Sequence, residues 1–81
     1  MFYVYLLKSK NNPEQRYIGL TDDLKKRLND HNSGASFHTA KYAPWILVNY
    51  IAFTTREAAA EFEIYMKGGS GQAFANKRFW K

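Results

Sequence analysis

The N-terminal segment of this chain is apolar on both faces of any strand that it forms. Residues 2–7 read Phe-Tyr-Val-Tyr-Leu-Leu, and successive side chains of a strand point to opposite faces. A strand that is apolar on both faces has to be covered on both sides. We therefore predict a central strand at residues 2–8, with other elements packed against each of its faces.

Turn residues and changes of periodicity divide the rest of the chain into five further elements. A turn around Asn12 and Pro13 leads to a short second strand at residues 16–20, which Gly19 ends. The remaining pattern predicts a helix, a strand and two helices, at residues 22–32, 45–53, 54–67 and 72–80. The order β-β-α-β-α-α predicts an α+β fold, a small three-stranded, mainly antiparallel sheet flanked by helices. We expect one domain over residues 1–81.

Three local signals predict how the helices begin and end. Thr21 or Asp22 is suited to cap the first helix, because a short polar side chain can accept a hydrogen bond from the first turn. Thr54 and Glu57 have the spacing of a capping box at the start of the second helix. The glycine-rich residues 68–71 predict a break before the last helix.

The charge of the chain favours a polyanionic partner. Twelve Lys and Arg stand against seven Asp and Glu, a net charge of +5, and binding to phosphates would release counterions. The absence of cysteine excludes disulfide scaffolds, thiolate metal sites and a cysteine nucleophile, and it fits a reducing, cytoplasmic setting. No apolar run approaches the roughly 18 residues of a membrane span, so we expect no membrane partner.

The first helix places two polar side chains towards the core. At about 100° per residue, Leu24 and Leu28 form its buried stripe, His31 falls on that stripe, and Arg27 flanks it. A guanidinium near the core needs an anionic partner to offset its desolvation. The pattern fits an internal ion pair for Arg27 and a hydrogen-bonded helix-end role for His31, or a cationic notch that both form in a pocket.

Two other pairs of side chains are open to several interpretations. Tyr5 and Tyr17 on adjacent strands would suit core packing, stacking on bases or acid–base chemistry. Glu61 and Glu63 both border the apolar face of the second helix, and periodicity does not choose between them.

The residues above form an ordered series that resembles the GIY-YIG endonuclease domain, in particular its small stand-alone members. The matching segments are Tyr3-Val4-Tyr5, Tyr17-Ile18-Gly19, Arg27, residues 28–34, Thr39, Pro44-Trp45 and residues 63–67 followed by Gly-x-Ser-Gly. Tyr3 departs from the pattern, because it stands where the name-giving glycine would be. Asn76 is only a weak match for an asparagine that some members carry.

The resemblance implies a metal-dependent endonuclease that hydrolyses phosphodiester bonds in nucleic acid, with DNA favoured over RNA and a role in repair or processing. It implies one divalent ion, Mg²⁺ or Mn²⁺, held by Glu63, which its spacing to the Gly-x-Ser-Gly segment favours over Glu61. The catalytic residues that it implies are Tyr5, Tyr17, Arg27, His31 and Glu63.

Two other functions fit the same sequence. One is a non-catalytic, basic nucleic-acid-binding module that retains the nuclease fold, and the other is a protein-interaction domain with a basic surface. Cutting both strands with one active site would favour a homodimer or a targeting partner. The basic residues that we expect to contact nucleic acid are Lys8, Lys10, Lys25, Lys26, Lys41, Lys67, Lys77 and Arg78.

Overall fold

A three-stranded antiparallel sheet with the strand order β2-β1-β3 forms the centre of the computed structural model, which describes residues 1–80. The element order β-β-α-β-α-α and the antiparallel sheet confirm the predicted fold class. The elements are β1 (Phe2–Ser9), β2 (Arg16–Thr21), α1 (Leu24–Ser33), β3 (Trp45–Phe53), α2 (Arg56–Lys67) and α3 (Gly69–Arg78), with one 3₁₀ turn at Ala40–Tyr42.

The middle strand β1 supplies both hydrophobic cores, as its two apolar faces predict. Tyr5 and Leu7 are buried with Trp45 on the face that α1 covers. Leu6 lies on the other face, where it packs with Met66 and side chains of α2 and α3. Because one strand carries both cores, a displacement of β1 would disturb the two layers of helices together.

The cap of α1 lies one residue later than predicted. Asp23, rather than Thr21 or Asp22, is the N-cap, and its carboxylate accepts a hydrogen bond from the Lys26 amide at 3.1 Å. The Thr21 hydroxyl instead accepts from the Asp23 amide at 3.1 Å, which shapes the turn that precedes the helix. The Thr21 side chain thus stabilises the turn, and the Asp23 side chain caps the helix.

The capping box predicted at the start of α2 is wrong. Thr55 is the N-cap, and its hydroxyl accepts from the amide of Ala58 at 3.2 Å. This shift by one residue places Glu57 at the second position of the helix, where its charge is still close to the positive end of the helix dipole.

Helix α3 begins at Gly69, three residues earlier than predicted, because two of the glycines belong to the helix. A Cβ atom at Gly71 would overlap the backbone carbonyl of Tyr65 in α2. Gly71 therefore permits the close approach of α3 to α2, which buries Ala75 against Met66. Among residues 1–80, none of the helices combines the length and the apolar character that crossing a membrane requires.

We predict that Gly71→Ala destabilises the fold by about 1–3 kcal/mol, because the added methyl group forces α3 away from α2. The measurement is the free energy of unfolding from urea denaturation. Gly69→Ala is the matched control, since a Cβ there meets no atom within 4 Å and the change stabilises helix formation or leaves it unaltered. Equal stability of the two variants would contradict this view of the helix contact.

Candidate active site

The β1–β2 hairpin brings two phenols together around a glycine. Gly19 pairs with Tyr5 inside β2, which continues to Thr21, so the prediction that Gly19 ends the strand is wrong. A side chain at position 19 would collide with the Tyr5 hydroxyl and the Tyr17 ring. The two rings lie 6.1 Å apart between centroids. The glycine thus leaves the space in which the two tyrosine side chains meet.

A chain of hydrogen bonds runs from Tyr5 into α1 and the loop that follows it. The Tyr5 hydroxyl lies 2.9 Å from His31 Nε2, and His31 Nδ1 lies 2.6 Å from Thr39 Oγ1. The Thr39 hydroxyl lies 3.4 Å from the Ser36 carbonyl. His31 and Thr39 are both buried, so the links from Tyr5 to His31 and from His31 to Thr39 are shielded from solvent.

The partners of His31 assign the protonation of its ring. Burial, followed by the nearby charge of Arg27, lowers the pKa of His31, and the imidazole is therefore neutral at neutral pH. If the Thr39 hydroxyl donates to the Ser36 carbonyl, Nδ1–H donates to Thr39 and Nε2 accepts from the Tyr5 hydroxyl. This tautomer is assigned from the hydrogen-bond partners.

Thr39 is held in place by a short network around Trp45. The indole Nε1 of Trp45 donates to the Thr39 carbonyl at 2.8 Å. The Asn32 side chain, at the end of α1, exchanges two hydrogen bonds with the backbone of Trp45. The loop is therefore fixed to both α1 and β3, and Thr39 has a defined position against His31.

The Arg27 guanidinium lies beside both phenols. Hydrogen bonding with Tyr5 raises the pKa of Arg27, so its charge is permanent. Its side chain is 35% exposed, and Nη1 lies 3.9 Å from an Asp30 carboxylate oxygen. That separation is at the outer limit of an ion pair, and Asp30 also contacts Lys26 at 3.2 Å. Arg27 therefore presents a cation at the site that is still accessible from solvent.

The Tyr5 phenol keeps its proton in this environment. Burial raises the pKa of Tyr5 to about 12, while a donor contact from Arg27 opposes the rise. The neighbouring Tyr17 and Glu63 add to the increase. Because the neutral Tyr5 phenol donates to a neutral imidazole, it can transfer its proton to His31 when its oxygen accepts a proton from another molecule.

Glu63 is half-buried and its charge contributes to the raised pKa of Tyr5, whereas Glu61 is exposed to solvent. The Glu63 side chain is 23% exposed and its Oε2 lies 3.2 Å from Lys67 Nζ. Although α1 and α2 cover opposite faces of the sheet, Tyr17 in the edge strand contacts both regions. Its ring lies 4.9 Å from His31, and it lines a cavity together with Lys67.

The donor set available for a divalent ion is small. Residues 1–80 contain no cluster of three or more His, Asp or Glu side chains that could enclose a metal. Glu63 offers one half-buried carboxylate near the phenols. Mg²⁺ and Mn²⁺ prefer oxygen ligands, and Mg²⁺ is commonly held by one or two carboxylates, waters and substrate phosphates. The site therefore suits such an ion when nucleic acid supplies the remaining oxygens.

The sequence did not single out Arg16, Gln72 or Trp80, which line a cavity of about 460 Å³ next to Tyr17. Asn76, the weak match for the family's asparagine, lines the same cavity. Arg16 Nη1 donates to Asn76 Oδ1 at 3.0 Å across 60 residues of sequence. Local periodicity does not indicate such a contact. The one possible signal in the sequence was the presence of an arginine in the second strand and an aromatic residue near the C-terminus, which can stack on each other.

The basic residues predicted to contact nucleic acid are distributed over several elements. Lys25 and Lys26 lie on α1, whereas Lys77 and Arg78 lie in the last turn of α3, and these helices pack on opposite faces of the sheet. The role of these basic residues in nucleic-acid binding stays a prediction. Lys8 is half-buried, and the exposed ones are Lys10, Lys25, Lys26, Lys41, Lys67, Lys77 and Arg78.

Comparison with known proteins identifies the family. The model of the GIY-YIG catalytic domain matches residues 1–78. The chain belongs to the GIY-YIG family. A UPF0213 protein of Clostridium perfringens is 38% identical over 68 residues, which cover 83% of this chain and 71% of the relative. This match to a small protein confirms the predicted resemblance to the small members of the family.

Other relatives place the same domain in longer proteins. The structure-specific endonuclease subunit SLX1 of Candida dubliniensis is 43% identical over 70 residues, covering 76% of this chain and 24% of the relative. The chain thus spans about a quarter of that protein's length.

The solution structure of a UPF0213 protein from Bacillus halodurans aligns with a TM-score of 0.55 at 32% identity, covering 94% of this chain and 81% of the other.

We predict that the free energy of unfolding falls as the pH drops below about 6.5, the usual pKa of histidine. The folded state lowers the pKa of His31, so the unfolded state binds the proton more readily, and acid favours unfolding until the folded pKa is passed. Urea denaturation between pH 7 and pH 5 measures this slope. His31→Gln should flatten it and His38→Gln, a change at an exposed histidine, should preserve it; identical slopes in both variants would refute the prediction.

Proposed function

We propose that this chain is a metal-dependent endonuclease that hydrolyses phosphodiester bonds, with DNA undergoing repair or processing as its substrate. The observation that carries the proposal is that the two phenols of the β1–β2 hairpin lie near both the Arg27 guanidinium and the Glu63 carboxylate. Membership of the GIY-YIG family and the endonuclease relatives support it.

Arg27 is proposed to bind the phosphate that is cleaved. Its guanidinium is charged and partly exposed, so it can donate to two non-bridging oxygens of a phosphodiester at once. The charge on these oxygens grows in the transition state, and a fixed donor that meets it there lowers the barrier. The neighbouring phenols of Tyr5 and Tyr17 raise the pKa of Arg27, so the guanidinium stays charged.

Tyr5 and His31 are proposed to move the proton of the attacking water. As the water oxygen approaches phosphorus, its proton passes to the Tyr5 oxygen, and the Tyr5 proton passes to His31 Nε2. His31 becomes an imidazolium whose Nδ1–H still donates to Thr39. This relay avoids a free phenolate, which a pKa of about 12 makes costly at neutral pH.

Glu63 is proposed to hold the divalent ion, for which Mg²⁺ or Mn²⁺ suits the carboxylate best. When bound, such an ion would supply positive charge to the phosphoryl oxygens and the departing oxygen. The Lys67 ammonium, which pairs with Glu63 at 3.2 Å, balances the carboxylate when no other cation is present.

Residues 1–80 bring these groups together at one place, and cleavage of both strands with one active site would favour an assembly. We propose that the chain acts as a homodimer or with a partner protein that supplies targeting. The SLX1 relatives carry the word subunit in their names, which supports an assembly of this kind.

We predict that Arg27→Ala and Glu63→Gln each lower the rate of metal-dependent nicking at least 10²-fold, because each removes charge stabilisation that acts in the transition state. The assay is cleavage of labelled nicked, branched and single-stranded DNA and matching RNA with Mg²⁺ or Mn²⁺. Glu61→Gln, at the exposed neighbouring carboxylate, is the control and should cut as fast as the unaltered protein.

Binding to the same oligonucleotides in EDTA separates the alternatives. Tight binding without cleavage under any metal would favour the non-catalytic module. Affinity that does not fall with added salt would favour a protein-interaction domain, since backbone recognition is salt-dependent. Full activity of both Arg27→Ala and Glu63→Gln would overturn the assignment of the site.

A further inference from the structure

The cavity beside the phenols has a wall of flat side chains. The Arg16 guanidinium carbon lies 4.8 Å from the centre of the Trp80 ring, over its face. Arg16 also donates to Asn76 Oδ1 at 3.0 Å, and the backbone amide of Trp80 donates to the Ala75 carbonyl at 3.0 Å. The Arg16 guanidinium is therefore stacked on the indole of Trp80, and contacts with α3 hold both residues.

The chemistry of this wall suits a nucleobase. Bases stack on indole rings and on guanidinium planes, and the amides of Asn76 and Gln72 in the same cavity can meet the polar edge of a base. Arg16 and Lys67 supply positive charge for the phosphate that accompanies it.

The size and shape of the cavity favour an unpaired nucleotide. Its volume of about 460 Å³ lies in the lower part of the range of small-ligand pockets, which suits one nucleotide. Inside a duplex the faces of each base are covered by its neighbours, so a stacking wall can act only on a base that has left the stack.

The position of the cavity connects it with the proposed cleavage site. Tyr17 belongs both to the phenol pair and to the cavity lining, and Lys67 links the cavity to Glu63. A nucleotide seated against Trp80 could therefore place its phosphate on the side of the cavity that Tyr17 and Lys67 line, towards Glu63.

We propose that the cavity formed by Arg16, Asn76 and Trp80 is a subsite for one unpaired nucleotide next to the phosphate that is cleaved. Its position relative to cleavage rests on the proposed function, whereas its ability to bind a base does not. Stacking on the Arg16–Trp80 pair provides the affinity, and the side-chain amides of α3 orient the base.

The test measures binding in EDTA, where no cleavage takes place. The probe is a short DNA duplex with a single 2-aminopurine overhang, compared with the same duplex carrying 2-aminopurine in a pair. Trp80→Leu should weaken binding of the overhang duplex about 5- to 150-fold, the range expected for loss of one stacked base. It should also abolish the change in 2-aminopurine fluorescence, and paired-duplex affinity should stay within about two-fold.

Two further variants control for damage to the fold. Trp80→Phe keeps an aromatic face and should restore most of the overhang affinity, and Arg16→Gln should weaken the overhang duplex more than the paired one. Phe74→Leu changes an exposed aromatic of α3 outside the cavity and should bind both duplexes as the unaltered protein does. Circular dichroism establishes that each variant is folded.

Equal affinity of Trp80→Leu and the unaltered protein for the overhang duplex would overturn the subsite. So would an equal loss of affinity for both duplexes, because that result means a general contact with the backbone. Either result would leave the endonuclease proposal intact if Arg27→Ala still abolishes nicking. Conversely, selective loss of overhang binding in a protein that never cuts would support the subsite and refute the nuclease.

Discussion

The hydrogen bond between the Tyr5 hydroxyl and His31 Nε2 connects the central strand to α1 inside the core. Both side chains are almost fully buried, at 1% and 0% exposure, so the Tyr5 hydroxyl hydrogen and His31 Nε2 need each other as partners away from solvent. Leaving one such atom unsatisfied costs about 1–3 kcal/mol. The same bond fixes the rotation of α1 and thereby places Arg27 beside the phenols. The fold and the candidate site are for this reason stabilised by one contact.

The parts of the structure that the sequence predicted follow from local pattern and the hydrophobic effect. A strand with two apolar faces had to be central, and β1 is. The helical positions of Leu24 and Leu28 placed His31 on the buried side of α1, where it lies. The roles of these residues in catalysis remain predictions, because burial and contact describe where a side chain is and not what it does.

The parts that the sequence missed depend on contacts between distant segments. Thr39 reaches His31 only because Trp45 and Asn32 hold the intervening loop. Helix α3 starts early because Gly71 lies against a carbonyl of another helix, which no local rule for glycine anticipates. Helical periodicity did not distinguish Glu61 from Glu63, because both border the apolar face of α2. Tertiary packing, in which Glu63 is half-buried and Glu61 exposed, distinguishes them.

The two tryptophans of this chain occupy very different surroundings, which gives the protein two internal optical reporters. Trp45 is 6% exposed in the core beside Tyr17, so its emission follows the integrity of the sheet and of the loop that it anchors. Trp80 is partly open to solvent and lies under a guanidinium. Replacing either one by phenylalanine would leave a single emitter, and unfolding could then be followed separately from events at the surface without any added dye.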